Sequence, residues 1–301
     1  MANTNYETAS RLFAKELVEP ARMITEARKF FGKTVQLPKG KVSMEFDQLK
    51  EMGAAMISHT MPTGHMVDAM GSVPKTVKVP FFWKDYQIDR QKFDAFKGDG
   101  KDIERFNLQG ALYQLNLREE STLILGWAPD GSTYSEGVLG LFQAAANSST
   151  AVGTTGTFGS ALATVTGLLS MLDTDNISGV NFNLIMNFTQ WQTLMSSISY
   201  GQRETELILP LLNRLEGMPK GGIISHKSMA TGTAMIVPVD PLGTYIQLLK
   251  SYDYTVDVGI DSRSPQTSPI FVKIFEGLAP FYPQVDSSGQ TNAIAKISGG
   301  M

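Results

Sequence analysis

Cysteine is absent from this chain of 301 residues. That excludes disulfide frameworks, thiolate metal sites and cysteine nucleophiles together, while leaving the compartment open. Charge is scarce as well. Asp, Glu, Lys and Arg make up 18% of the chain, where about 25% is usual for soluble domains. Two readings fit that shortage: a large core in a monomer, or apolar surface reserved for neighbouring subunits. No stretch approaches the roughly 18 uninterrupted apolar residues of a membrane span. The most apolar segment, Gly159 to Leu172, is short and carries threonines and serines. The N-terminus, MANTNYETAS, lacks a basic-then-apolar signal pattern. These features predict a chain made and kept in the cytoplasm, away from membranes. With a net charge of -3 and a pI of about 5.7, it does not fit a basic, gripping nucleic-acid binder, though it fits a container for nucleic acid.

Catalytic chemistry is equally sparse. The histidines are His59, His65 and His226, and the spacing of the first two does not suit two ligands on one helical face. No G-x-S-x-G elbow offers His226 a serine. The run Gly153-Thr154-Thr155-Gly156-Thr157-Phe158-Gly159 lacks the Lys-Ser/Thr end of a phosphate loop and the Rossmann spacing. Asp173 and Asp175 begin no calcium-loop pattern. Phe81, Phe82 and Trp83 have no interleaved basic residues, as a single-strand stacking platform would need. With no convergent polar cluster, no enzyme, cofactor or metal is expected.

What is present is periodicity. Thr4 to Glu7 fits a capping box. Leu12, Phe13, Leu17, Ile24 and Phe31 follow at helical spacing, with Pro20 opening a second helix and Gly32 closing it. Two alternating segments come next. Val42, Met44 and Phe46 share one face of Lys41 to Asp47; Val77, Val79, Phe81 and Trp83 share one face of Lys75 to Lys84. They predict an extended hairpin, bridged by a stretch holding Met52, Met56, Met61, Met66 and Met70. A helix is expected over about Asp102 to Leu125. Further helices are expected over Ser135 to Asn147, Phe158 to Leu172, Thr189 to Ser199 and Thr205 to Glu216. Strands are expected over Asn183 to Met186, Gly221 to Ile224, Ala234 to Val237, Tyr252 to Ile260 and Ile270 to Phe275. After Pro283 the sequence reads as a polar, mobile tail.

That order, together with local phrasing, resembles the major capsid proteins of tailed double-stranded DNA viruses, the Hong Kong 97-type capsid fold. The phrasing is Val79-Pro80-Phe81-Phe82-Trp83-Lys84-Asp85-Tyr86 leading through Ile88-Asp89-Arg90 into the long helix. It continues with Glu119-Glu120 before Leu125-Gly126-Trp127, then Phe182 to Asn187 with Gln190-Trp191. Gly222-Ile223-Ile224 and Gly232 to Val237 complete it. The wording is similar to the encapsulin branch, and the likeness covers residues 35 to 280.

The resemblance implies an α+β fold in five parts. Residues 1–40 form an N-terminal arm and 41–83 an extended loop. Residues 84–131 and 238–288 form a peripheral domain with a spine helix. Residues 132–237 form an α/β axial domain, and 289–301 a C-terminal tail. It implies self-assembly through pentamers and hexamers into an icosahedral shell, located in the virion and assembled in the host cytoplasm. The shell would enclose double-stranded DNA without sequence-specific binding. Scaffold, portal or minor capsid proteins are further candidate partners; no scaffolding segment is expected ahead of the arm. The long arm, the methionine-rich loop and the polar tail favour the viral branch. The alternative is an encapsulin shell that packages a cargo enzyme. The expected inter-subunit contacts are Val42, Met44, Phe46, Val77, Val79, Phe81 and Trp83 on the loop, and Leu12, Phe13, Leu17 and Ile24 on the arm.

Overall fold

Leu108, Ala111, Leu112 and Leu115 recur at the three- and four-residue spacing that puts them on one side of a helix. In the computed structural model all four are buried. The structure describes residues 26–49, 71–89, 103–129, 137–149, 158–175, 177, 179–199, 201–260, 270–286 and 288–298. The arm residues Leu12, Phe13, Leu17 and Ile24 and the bridge 50–70 lie outside them. Helix α1, Ile103–Leu125, matches its expected span and ends at Gly126, whose φ of 86° suits a left-handed cap. Gly126 N–H donates to Thr122 O (2.8 Å).

Beside α1 lies a four-stranded sheet. Its order is β1 (Lys33–Gln36), β11 (Gln247–Ile260), β12 (Ile270–Phe281), β4 (Phe81–Ile88). The hairpin is built by β2 (Ser43–Leu49) and β3 (Ser72–Lys78), antiparallel in continuous register from Ser43↔Lys78 to Leu49↔Ser72. Lys75 to Lys84 is therefore two strands, not one. Pro80 has no N–H for a ladder. Val79 N–H closes the hairpin on Val42 O (2.8 Å), and the chain then joins β12 as β4.

The second sheet runs β5 (Ala145–Ser149), β13 (Thr291–Ser298), β10 (Thr233–Val239), β6 (Asn181–Met186), β9 (Ile223–Ser225). A two-stranded ribbon, β7 (Ile198–Ser199) and β8 (Gln202–Arg203), completes the described strands. Within the expected helix Ser135 to Asn147, only Leu141–Ala144 (α2) is helical among the described residues. Ala145–Ser149 extends because β13 offers it a parallel partner. The remaining helices are α3 (Ser160–Thr174), α4 (Phe188–Ser196) and α5 (Glu204–Leu212), with a 3-10 turn at Ala27–Phe30.

The largest departure is at the C-terminal end. The expected tail contains a strand, β13, in the interior of the five-stranded sheet. Ile294 joins the core between α1 and the four-stranded sheet. Ala293, Ala295 and Ile297 join a second core with α3 and α5. Gly32 also serves another purpose than ending a helix. A Cβ there would lie 1.9 Å from Asp240 O, so only glycine lets the two backbones pass.

Candidate assembly surfaces

The seven expected loop contacts divide into two groups. Met44, Phe46 and Val77 pack around a small cluster formed by Leu37, Val79, Leu249, Ala279 and Phe281 of the same chain. Phe46 meets Phe281 edge to face at 4.9 Å. Gln48 Nε2 donates to Val285 O (2.7 Å) and Lys75 Nζ to Asp286 O (2.9 Å). Val79 is 3% exposed and has no surface to offer a neighbour. An isolated two-stranded hairpin needs support, and here its apolar face leans on its own body. The face carrying Glu45, Asp47, Thr76 and Lys78 is exposed, as is Val42 at 56%.

Phe81 and Trp83 belong to a different surface. They lie on the outer face of β4, where Trp83 pairs across with Phe275 and Phe81 with Gly277. Tyr252 on β11 contacts both Phe81 (5.5 Å between centroids) and Phe275 (5.7 Å). Lys273 Nζ sits 4.8 Å from the Trp83 ring centroid. Trp83 is 59% exposed, Phe271 48% and Phe81 38%. Strand β4 is the sheet's edge and has no strand beyond it among the described residues. Next to it a groove of about 230 Å³ runs towards the end of α1, lined by Pro80, Phe81, Phe82, Trp83, Arg118 and Trp127. Contiguous aromatic surface on an open edge strand is costly to leave exposed to water.

The segment around Arg28 is fastened by charges that sequence reading did not anticipate. Arg28 forks onto Glu119 through Nε (2.5 Å) and Nη2 (2.8 Å). Its Nη2 also reaches Glu276 Oε2 (2.5 Å) and Tyr254 Oη (3.0 Å). The Tyr254 hydroxyl donates to Asn116 Oδ1 (2.7 Å). Glu120 accepts from Glu26 N–H (2.9 Å) and pairs with Lys227 Nζ (3.1 Å). Glu119 and Glu276 are fully buried. Burial opposes the charge on Arg28, but the hydrogen bond to Glu119 and the charges of Glu119 and Glu276 outweigh it and hold its pKa above the usual range. Burial and the same two carboxylates push the Tyr254 phenol up. Burial, reinforced by Glu119 and opposed by Arg28 and Lys250, pushes Glu276 up to about 7.

Folded Glu276 thus holds its proton more tightly than the unfolded chain does. Its contribution to stability is complete below the ordinary carboxyl value of 4.5 and is lost as pH rises through about 7. Urea unfolding at pH 5 and pH 8 is expected to show a smaller difference for Glu276→Gln than for the parent. An equal difference in the two proteins removes Glu276 as the titrating group.

His59 and His65 lie outside the described residues. His226 is buried; desolvation lowers its pKa, and its Nδ1 accepts from Ser228 N–H (3.2 Å). At the end of the glycine-rich run, Glu204 Oε1 accepts from Gly159 N–H (3.0 Å) and Leu162 N–H (2.9 Å). A carboxylate already occupies the start of α3, where a phosphate would bind. Asp173 pairs with Arg214 (2.7 Å). Among the described residues no cluster of His, Asp and Glu could hold a metal ion, and no helix is long and apolar enough to cross a membrane.

No family model and no curated protein matches the sequence. Solved structures do match the fold along nearly the whole chain. A virus-like particle from Pyrococcus furiosus is 15% identical with a TM-score of 0.61, covering 96% of this chain and 99% of its own. The capsid of Myoviridae phage XM1 is 13% identical with a TM-score of 0.67, covering 92% of each chain. The chain has the Hong Kong 97-type capsid fold. The capsid of a native GTA particle is also similar, at 12% identity and a TM-score of 0.59, over 93% of this chain and 89% of that one. Within this capsid fold α1 is the long helix, β2 and β3 form the projecting hairpin, and β13 completes the five-stranded sheet.

Proposed function

We propose that the chain is the major shell protein of a tailed-virus capsid, with many copies closing an icosahedral container around double-stranded DNA. One observation carries the reading: shell subunits share this fold from end to end, and the edge strand β4 exposes Phe81 and Trp83, beside exposed Phe271 of β12, with no strand beyond β4 among the described residues. The role is mechanical and needs no catalytic residue. Subunits group as pentamers and hexamers, and heterologous contacts that close on themselves make the shell. The acidic pI of about 5.7 suits a wall that encloses DNA without reading it. We assign 1–40 to an arm and the hairpin to an extended loop. The four-stranded sheet with α1 is the peripheral part, and the five-stranded sheet, including β13, the axial part. Leu12, Phe13, Leu17 and Ile24 remain the arm residues assigned to a neighbour.

Trp83→Asp tests the reading. The side chain is exposed in the subunit, so folding should change little, by about 0.5 kcal/mol or less. Electron microscopy of the purified variant is expected to show dispersed capsomers or monomers, while the parent shows closed particles and the circular dichroism spectra coincide. Normal shells from the variant remove the aromatic face from the contact. A second reading, an encapsulin shell, is favoured by the fit to the Pyrococcus particle, where coverage is 96% and 99%. Nucleic acid inside purified native particles supports the viral reading, and a protein cargo supports the second.

A further inference from the structure

Histidine is the side chain that ordinarily titrates nearest neutrality, and His226 is the one histidine among the described residues. It follows β9 directly and is buried. Its N–H donates to Met186 O at the end of β6 (2.9 Å), and its O accepts from Met229 N–H (3.2 Å), closing a four-residue turn, 226–229. Inside that turn Nδ1 accepts from Ser228 N–H (3.2 Å). A backbone N–H can only donate, so this ring nitrogen carries a lone pair and no proton. The turn also ties two parts of the molecule together. Lys227 Nζ reaches Glu120 on α1 (3.1 Å), and Met229 is buried in the core that α1 shares with the four-stranded sheet. Met229 O accepts from Asn187 Nδ2 (2.7 Å), and the same Asn187 caps α4 through Thr189 N–H (2.9 Å).

We propose that turn 226–229 is an acid-sensitive clasp between α1 and the five-stranded sheet: a proton taken from solvent by His226 Nδ1 breaks the bond from Ser228 N–H, opens the turn and draws Lys227 away from Glu120. The charged groups that face the imidazole are Glu120 from α1, Glu26 from the segment before the 3-10 turn, and Lys227 beside it. Burial is the largest influence and opposes the imidazolium. The two carboxylates favour it and Lys227 opposes it, and the balance sets His226 below the ordinary histidine value of 6.5. Glu120 is already engaged by Lys227 Nζ and by Glu26 N–H (2.9 Å). The closed turn therefore binds the proton less tightly than an open one does. The clasp is fully held above pH 6.5 and loosens as pH falls through 6.5 towards the lower folded value. It lies within one subunit and works however the subunits assemble.

Trypsin reads the clasp directly, because cutting after Lys227 requires the turn to open. The full chain is digested at pH 7.5 and at pH 5.5, and the fragment beginning at Ser228 is followed by mass. Each rate is divided by that of a synthetic peptide of residues 222–232 at the same pH. The expected result is a several-fold rise at the lower pH. In His226→Asn the new Oδ1 accepts from Ser228 N–H as Nδ1 does but takes no proton, so its normalised rate should be the same at both pH values. A flat rate in the parent, or an equal rise in the variant, overturns the proposal. So does a matching rise in cutting after Lys296, inside β13, which means that the whole fold opens. If His226→Asn does not fold, deuterium exchange at the imidazole C2 of His226 gives a second measurement on the parent. Its midpoint is expected below 6.5 and coincident with the midpoint of the Lys227 cut. A midpoint at or above 6.5, or one apart from that of the cut, overturns the clasp.

Discussion

Arg28→Met lowers the urea midpoint of unfolding by an amount corresponding to about 3–5 kcal/mol, the usual cost of removing one partner of a buried ion pair. The substitution keeps most of the aliphatic stem and deletes the fork. Glu119, fully buried, then loses the Nε and Nη2 bonds at 2.5 and 2.8 Å. Glu276 keeps only Lys250 Nζ at 3.4 Å. Because Glu276 is pushed up to about 7, it can take a proton and tolerate the loss; Glu119 bears most of the damage. The double variant Arg28→Met/Glu119→Gln should therefore recover a large part of the lost stability. If the single variant unfolds at the parent's midpoint, the cluster is not holding the Arg28 segment in place. If the double variant is no better than the single, the cost does not come from an abandoned charge.

The second large effect is expected from β13. Ile294→Asp sets a carboxylate with no partner into the core shared by α1 and the four-stranded sheet. An unpaired buried charge is among the few changes that exceed about 4–5 kcal/mol. The expected result is insoluble protein, or soluble protein without cooperative unfolding. Lys296→Gln on the same strand serves as control. Lys296 is half-buried, its pKa lowered by desolvation, and its ammonium lies 5.4 Å from the Phe142 ring centroid. That variant should fold. A soluble, cooperatively unfolding Ile294→Asp protein would mean that the strand is dispensable.

These two sites were also the least legible in the sequence. The long helix and both hairpin strands announced themselves by spacing. Leu108, Leu112 and Leu115 repeat with a helical period, while Met44 and Phe46 on one strand and Val77 on the other alternate. In β13 the interior positions are mostly small: Ala293 and Ala295 fill the space with only Ile294 and Ile297 as large residues. Set among Ser, Thr, Asn and Gln, that run reads as a tail. The strand exists because β5 and β10 flank it, which no local window contains. The Arg28 cluster is hidden for the same reason. Arg28 and Glu119 are 91 residues apart, and Arg28 and Glu276 are 248 apart. A faint signal was available: Glu276 occupies a position of β12 in phase with Ile274 and Leu278, both buried, where a carboxylate demands a partner. Periodicity also misled at Val77 to Trp83, because alternation continues in phase across Val79-Pro80 although the strand does not.

Synthesis order gives the interior place of β13 a temporal meaning. Its neighbours β5 and β10 leave the ribosome earlier, and β13 is the last of the described strands to do so. At roughly 5–20 residues per second, the stretch from Val239 to Thr291 takes several seconds. Throughout that interval the nascent chain lacks the strand to which β5 and β10 both bond. An unfinished polypeptide therefore cannot present the completed five-stranded sheet, and a chain broken off before Thr291 never can. The shape of that sheet is thus decided late in synthesis, when β13 arrives to join β5 to β10.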